Sequence, residues 1–197
     1  MSVAALDAEL RRLMAPLTPS PAAHAAFIGA LRERKLDKGA HLTREGEPAE
    51  ALFFVCAGVL RYYYLVDGEE HTGQFFDEGM FVADVFGLTT GGANLQSIDA
   101  LTPCTVLAIP RAALLGAYDA DHAFERFGRR AIEEVAVGSQ RRTANLLKLS
   151  AEERYERFNA NRPGVACRVP QYVIASYLGV TPEALSRIRK RRTTPPT

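Results

Sequence analysis

Residues 170–192, PQYVIASYLGVTPEALSRIRKRR, decide the fold of the C-terminal part because they encode two short helices separated by a tight turn. Pro170 suits the first turn of one helix, and Gly179 is typical of the left-handed residue that ends it. Thr181 then suits the N-cap of the second helix and Pro182 its first position. The apolar positions that close the two helices on each other are Ile174, Leu178, Leu185 and Ile188. This spacing predicts a helix-turn-helix, and a plain helical hairpin is the alternative.

The other face of the second helix favours DNA as the partner of this segment. Glu183, Ser186 and Arg187 lie three and four residues apart and are the predicted contacts to base edges, since Arg binds guanine bidentately and Glu accepts from cytosine in a major groove. A core helix has no use for such a stripe. The residues predicted to contact phosphates are Gln171, Thr181, Arg189, Lys190 and Arg191.

The charge is divided unevenly along the chain. The 197 residues carry a net charge of +1, but residues 1–140 hold 12 Lys and Arg against 19 Asp and Glu, whereas residues 141–197 hold 12 against 4. An acidic body joined to a basic end indicates that this end meets a polyanion, with a solvated basic tail as the alternative. No apolar run approaches the ~20 residues of a membrane span, and the acidic N-terminus does not resemble a signal peptide. We therefore expect a cytoplasmic protein without a membrane partner.

The pattern of apolar residues, glycines and prolines changes twice before the basic end. Residues 4–35 predict two short helices interrupted by prolines. From Leu36 to about Pro110, glycines separate short apolar runs that are typical of antiparallel strands in a roll, and Asp67-Gly68 is a good hairpin turn. Residues 119–149 predict one long helix. We therefore divide the chain into a roll with N-terminal helices (1–118), a connecting helix (119–149) and the helix-turn-helix region (150–197).

The connecting helix carries a stripe of small residues that a second helix could approach closely: Gly128, Ala131, Val135 and Gly138. Packing against the chain's own roll and pairing with a second copy both fit this pattern. Ser150 and Glu153 predict a capping box at the start of a further helix over 150–161.

The order of a β-roll, a long helix and a helix-turn-helix resembles the Crp/Fnr family of bacterial transcription regulators over nearly the whole chain. Residues 35–63, KLDKGAHLTREGEPAEALFFVCAGVLRYY, resemble that family's cyclic-nucleotide-binding-type roll, and Glu183, Ser186 and Arg187 match its Glu-x-x-Ser-Arg pattern. The resemblance implies an α+β fold with a jelly-roll-like sensor domain, a dimerisation helix and a winged-helix-like DNA-binding unit whose wing is short or absent. It also implies a homodimer on a near-palindromic operator, with RNA polymerase as a further partner.

The residues of the ligand cassette depart from the family pattern. Ala83-Asp84 and Asn94-Leu95 stand where cyclic AMP sensors of the family have a Gly-Glu turn and an Arg-Ser pair. Without that Arg, no guanidinium neutralises the phosphate, so we expect no cyclic AMP binding and no other cofactor. Haem is a minor alternative, with His71 as its candidate ligand. Cys56, Cys104 and Cys167 are widely spaced, so we expect buried thiols and not the ligands of an iron–sulfur cluster. The effector stays unidentified.

Two other classes of function compete with a regulator. A cupin-like metal enzyme shares the roll shape, but it needs clustered His and carboxylate ligands, and the four histidines here form no HxH pair. We therefore predict no enzyme, no catalytic residue and no metal. A roll that only senses a signal or docks a protein partner is the second alternative, with its basic end idle or facing RNA.

Overall fold

The computed structural model describes residues 3–193. Eight strands form the centre of the chain: β1 (Arg32–Leu36), β2 (His41–Thr43), β3 (Ala51–Ala57), β4 (Leu60–Val66), β5 (Glu69–Phe76), β6 (Phe81–Val82), β7 (Ser97–Ala100) and β8 (Cys104–Pro110). The described helices are α1 (Val3–Met14), α2 (Pro21–Gly29), α3 (Val85–Thr90), α4 (Arg111–Ala120), α5 (His122–Lys148), α6 (Ala151–Asn161), α7 (Pro163–Ala166), α8 (Gln171–Leu178) and α9 (Pro182–Thr193). None of these helices has the length and apolar composition needed to cross a membrane.

The strands form two antiparallel sheets that face each other. Their orders are β1-β8-β3-β6 and β2-β7-β4-β5. The side chains between them come from both sheets and include Phe53, Leu60, Ile98 and Val106, all at most 3% exposed. This arrangement confirms the predicted jelly-roll-like roll. Burial of these apolar side chains is the main force that holds the two sheets together.

The helices pack around the roll in two groups. Side chains of α1, α2, α4 and the first part of α5 cover Phe54 and Ile109, which point outward from β3 and β8. The helices α6 to α9 form a second group around Val173 and Ile174, and this group reaches the roll through Val59, Phe75 and Leu101. The helix-turn-helix region therefore shares an apolar cluster with the roll.

Local sequence signals fix several of the element ends. Asp67 and Gly68 have φ values of 52° and 82°, which is the left-handed conformation that a two-residue hairpin turn requires, so the predicted turn between β4 and β5 is confirmed. The predicted capping box is confirmed too: Ser150 accepts from the amide of Glu153 at 3.2 Å, and the Glu153 side chain accepts from the amide of Ser150 at 2.7 Å.

Two predicted elements need correction. The helical prediction over residues 4–35 is wrong at its end, because Arg32–Leu36 forms the polar edge strand β1 and pairs with β8. The long helix predicted over 119–149 begins only at His122. Asp121 interrupts it by adopting an extended conformation and capping the amide of Ala123 at 2.9 Å.

Candidate nucleic-acid interface and roll cassette

The two short helices α8 and α9 are joined by a tight turn, as the sequence predicts. Gly179 ends α8 with a φ of 68°, in the left-handed region, and the amide of Val180 closes the turn on the carbonyl of Ala175 at 3.1 Å. Ala175 is fully buried, as the closely packed centre of the motif requires. Thr181 caps α9 by accepting from the amide of Ala184 at 3.2 Å. The cap, the turn and the core lie where the sequence predicts them.

The predicted base-contacting residues lie together on the solvent side of α9. Glu183, Ser186 and Arg187 are exposed, whereas Leu185 and Ile188 on the opposite side are 1% and 7% exposed. The amide of Glu183, the hydroxyl of Thr181 and the charge of Arg187 lower the pKa of the Glu183 carboxyl, so this group is ionised at neutral pH. The helix therefore offers an acceptor and a guanidinium side by side.

The residues predicted to contact phosphates are also on the surface. Gln171 begins α8, Thr181 precedes α9, and Arg189, Lys190 and Arg191 follow along α9; all five are exposed. The Thr181 hydroxyl caps α9, and the guanidinium of Arg191 donates to Glu152 at 3.0 Å. The expected short or missing wing concerns residues after Thr193, which lie outside the described residues.

The first helix of the motif caps an open sheet edge, a contact that sequence reasoning missed. β5 is an edge strand, so its outward backbone groups have no partner strand. The Ser176 hydroxyl accepts from the amide of Thr72 at 2.9 Å and donates to the carbonyl of Glu70 at 3.1 Å. Arg142 of α5 donates to the carbonyls of Thr72 at 3.2 Å and Tyr177 at 2.8 Å. Three parts of the chain thus meet at this edge.

Ion pairs from the residues on either side of α7 connect this region to the turn after β5. Arg168 donates to both carboxylate oxygens of Glu78 at 2.7 and 2.9 Å, and this contact lowers the pKa of Glu78 to about 2. Arg162 donates to Asp77 at 2.8 Å. The bidentate geometry makes the Arg168–Glu78 pair directional as well as attractive.

The cassette, residues 83–95, uses its polar side chains internally. The Asp84 carboxylate is 3% exposed and accepts from the amides of Gly87 at 2.8 Å and Leu95 at 2.7 Å. Asn94 is also 3% exposed and donates to the carbonyl of Arg44 at 3.3 Å. Ala83 carries no polar group, and Leu95 exposes half of an apolar side chain. These contacts hold the loop, and none of residues 83–95 is a cation that could neutralise a phosphate. The guanidinium that reaches the loop, Arg111, donates to the carbonyl of Leu88 at 2.7 Å.

The buried guanidinium of the roll is also engaged. Arg61 alternates with the core residues Leu60 and Tyr62, so it points to the other side of the sheet. It donates to both oxygens of Asp99 at 2.8 and 3.2 Å, and it contacts Glu70. Two carboxylates therefore neutralise Arg61 already.

Residues weighed for redox or haem chemistry are scattered. His71 is exposed on β5. Cys56 and Cys104 are buried, and burial raises the pKa of both thiols. The expectation that all three cysteines are buried is wrong for Cys167, which is exposed at the end of the one-turn helix α7. Within residues 3–193, no three His, Cys, Asp or Glu side chains converge in a way that could hold a metal ion.

The four small residues predicted to form a stripe on α5 have different surroundings: the first two pack against the roll, and the last two do not. Gly128 is buried, and a Cβ at this position would stand 2.4 Å from the hydroxyl of Tyr118; Ala131 packs on the same core. These two residues therefore serve packing on the chain's own roll, which corrects their assignment to a dimer surface. Val135 is 48% exposed, and a Cβ at Gly138 would meet no atom within 4 Å.

Comparisons with known proteins agree with this architecture. Residues 33–121 match the cyclic nucleotide-binding domain family. FixK2 from Bradyrhizobium japonicum is 24% identical over 83% of this chain and 84% of its own, with a TM-score of 0.73. The c-di-GMP responsive global regulator CLP from Xanthomonas campestris is 19% identical over 88% and 92%, with a TM-score of 0.70. No curated protein sequence matches the chain significantly.

A third similar structure is of a protein described as a member of the Crp/Fnr family. A candidate transcriptional regulator of the Crp/Fnr family from Eubacterium rectale is 16% identical over 88% of this chain and 83% of its own, with a TM-score of 0.73. The roll thus matches the cyclic nucleotide-binding domain family, and the chain has the fold of Crp/Fnr-type proteins. The fold that the sequence resemblance implies is confirmed.

Proposed function

We propose that this chain, which has the fold of Crp/Fnr-type proteins, is a DNA-binding transcription regulator. The observation that carries the proposal is the division of α9 into two faces. Leu185 and Ile188 fix the helix to its own domain, while Glu183, Ser186 and Arg187 face solvent. Side chains on this solvent face do not contribute to the packing of the domain. They can instead contact base edges in a major groove of DNA.

The exposed residues divide into two kinds of DNA contact. Arg187 can bind guanine with two hydrogen bonds, and the ionised Glu183 can accept from a cytosine amine, so these residues supply sequence preference. Arg189, Lys190 and Arg191 supply phosphate contacts without sequence preference. The Arg191–Glu152 pair is exposed and is therefore weak enough to exchange for a phosphate.

The proposed regulator acts as a homodimer formed through α5. The middle of α5 exposes apolar side chains on one face, with Ile132 46% and Val135 48% exposed. A second copy of the same helix would cover this face. A two-fold dimer would place one α9 in each half of a near-palindromic operator, about 34 Å apart. Contact with RNA polymerase remains a prediction from the family resemblance.

The roll of the proposed regulator does not take cyclic AMP in the family's usual manner. Asp84 and Asn94 are buried and bonded to backbone, and Arg61 is held by Asp99 and Glu70. We therefore expect calorimetry to show no saturable cyclic AMP binding at micromolar concentration. A micromolar dissociation constant with one site per chain would contradict this. Cyclic di-GMP, to which CLP responds, is the second nucleotide to titrate.

Selection of bound fragments from a random DNA pool tests the proposed function. We expect the wild-type chain to enrich one inverted repeat, because a two-fold dimer presents the same helix to both halves of its site. The matched control carries Glu183→Ala, Ser186→Ala and Arg187→Ala together and keeps the phosphate contacts. We expect this control to bind DNA without enriching the repeat. A wild-type pool that stays random would overturn the proposal.

A further inference from the structure

A small cavity lies at the junction of α5, α6 and α8, away from the exposed face of α9. Its volume is about 100 Å³. It is lined by four arginines, two asparagines, Leu146, Phe158, Tyr177 and Leu178. The arginines are Arg142, Arg154, Arg157 and Arg162, and the asparagines are Asn145 and Asn161. Neither the proposed DNA contacts nor the roll cassette uses this cavity.

The cavity wall carries more positive charge than the surrounding carboxylates balance. Of the four arginines, Arg162 is paired with Asp77. Within the described part of the chain, no carboxylate oxygen lies within 4.0 Å of a guanidinium nitrogen of the other three. Glu153 attracts Arg157 only at longer range, and its carboxylate accepts from the amide of Ser150.

Among residues 3–191, whose side chains the structure describes, the three remaining arginines bond only to neutral oxygens. Arg142 donates to the carbonyls of Thr72 and Tyr177 and lies over the Tyr177 ring, 4.1 Å from its centroid. Arg154 donates to the carbonyls of Leu178 at 2.9 Å and Leu149 at 2.6 Å. Arg157 donates to Oδ1 of Asn145 at 2.7 Å. Each guanidinium has five N–H donors, so donors are left over for an anion.

The chemistry of these groups specifies the class of ligand. The planar guanidinium fork matches the oxygens of carboxylate and phosphate, and a tetrahedral oxyanion can accept from several arginines at once. A site that encloses a drug-sized molecule has a volume of roughly 300 to 1,000 Å³. The smaller cavity here therefore admits a phosphate group but not a whole nucleotide.

We propose that this cavity binds a phosphate-class oxyanion, either inorganic phosphate or the phosphoryl group of a small metabolite that extends into solvent. The bound anion would bridge α5 and α6 next to the last carbonyls of α8, which Arg142 and Arg154 hold. These carbonyls directly precede the turn into α9. Occupancy of the site therefore fixes the position of the helix-turn-helix on the connecting helix, and an effect on DNA affinity would follow if the proposed function holds.

Isothermal titration calorimetry of the full chain without DNA tests the site independently of the proposed function. The titrants are inorganic phosphate, AMP and adenosine, at constant ionic strength set with sodium chloride. We expect phosphate or AMP to bind with one site per chain, and adenosine not to bind. Equal affinities for phosphate and AMP identify free phosphate as a sufficient ligand, and tighter AMP binding identifies a metabolite's phosphoryl group. The absence of saturable binding by both anions would overturn the proposal.

Three variants place the binding in this cavity. We expect Arg157→Gln to weaken the anion about tenfold or more, since it removes a charge-assisted hydrogen bond. Asn161→Asp, which keeps the side-chain size but adds a carboxylate at the cavity, should weaken it as well. Arg141→Gln on the exposed side of α5 removes the same charge outside the cavity and should leave the affinity unchanged. If Arg141→Gln weakens binding as much as Arg157→Gln does, general charge explains the binding and the site is wrong.

Discussion

At the scale of single residues, Glu78 shows how one carboxylate joins two parts of the chain. It accepts from the Gly58 amide of the roll at 2.8 Å and from Arg168, which precedes α8, at 2.7 and 2.9 Å. Both side chains of the ion pair are about a third exposed, so water screens part of their attraction. The pair is therefore a moderate but directional link between the roll and the helix-turn-helix region.

This link predicts a dependence of stability on pH. The pKa of Glu78 falls from its ordinary value of 4.5 to about 2 on folding, so the unfolded chain binds the proton more tightly. The stabilisation is present above about pH 4.5 and is lost as the pH falls toward 2. We expect Glu78→Gln to lower the free energy of unfolding by about 1–2 kcal/mol at pH 7, and this difference to shrink on acidification.

Urea unfolding at several pH values measures the effect. The control is Glu133→Gln, which removes the carboxylate of an exposed pair with Arg129 within α5 and should change the free energy of unfolding by less than about 0.5 kcal/mol. A difference between wild type and Glu78→Gln that stays constant from pH 7 to pH 3 would show that the Arg168 contact does not shift the titration of Glu78.

At the scale of elements, α5 has two segments with separate roles along its length. Phe124, Phe127 and Gly128 are buried against α4 and the roll. Further along the helix, Ile132 and Val135 are exposed, and Val135, seven residues after Gly128, continues the same side of the helix beyond the buried core. An apolar face of this kind is covered by a partner helix in coiled-coil dimers.

The exposed face of α5 predicts which substitution breaks the dimer. Val135→Glu should shift the chain toward the monomer, because it places two like charges at the helix pair. Val137 is equally apolar and 46% exposed, but it points to another side of the helix, so Val137→Glu should leave the dimer intact. Sedimentation velocity at micromolar concentration separates these outcomes. A monomeric wild-type chain, or equal loss in both variants, would place the interface elsewhere.

How far the elements could be predicted depends on how local their signals are. The Gly179 turn and the Ser150 capping box lie within a few residues of the atoms they bond, so the sequence contains the complete signal. The strand β1 was missed because its polar residues gain their place only by pairing with β8, some 70 residues away. The small size of Gly128 fits any close neighbour, so the sequence predicts a dimer contact there and does not show that the neighbour is Tyr118 of the same chain.

At the scale of the whole molecule, the roll and the helix-turn-helix region are joined at the edge of β5. Phe75 of the roll packs against Tyr177, with ring centroids 4.9 Å apart. Next to it, the Ser176 hydroxyl bonds to the amide of Thr72 and the carbonyl of Glu70 at the edge of β5. A displacement of β5 would therefore move α8. Neither Ser176 nor Arg142 stands out in the sequence, since a serine and an arginine on helices ordinarily face water. The contacts of these two residues with β5 depend on the folded structure and leave no signal in the sequence.

The assignment of Arg187 as a base-contacting residue is tested most directly by parallel selections from a random DNA pool. Wild type, Arg187→Ala and Arg189→Ala are compared by sequencing the bound fragments and by measuring affinity against salt concentration. A bidentate Arg–guanine contact gives about 1–3 kcal/mol of discrimination, whereas a phosphate contact carries no sequence information. We predict that Arg187→Ala loses the preference at one position in each half-site, and that Arg189→Ala keeps the wild-type sequence but binds it more weakly with a shallower salt dependence. If wild type and Arg187→Ala enrich the same inverted repeat with equal preference at every position, Arg187 does not contact the bases.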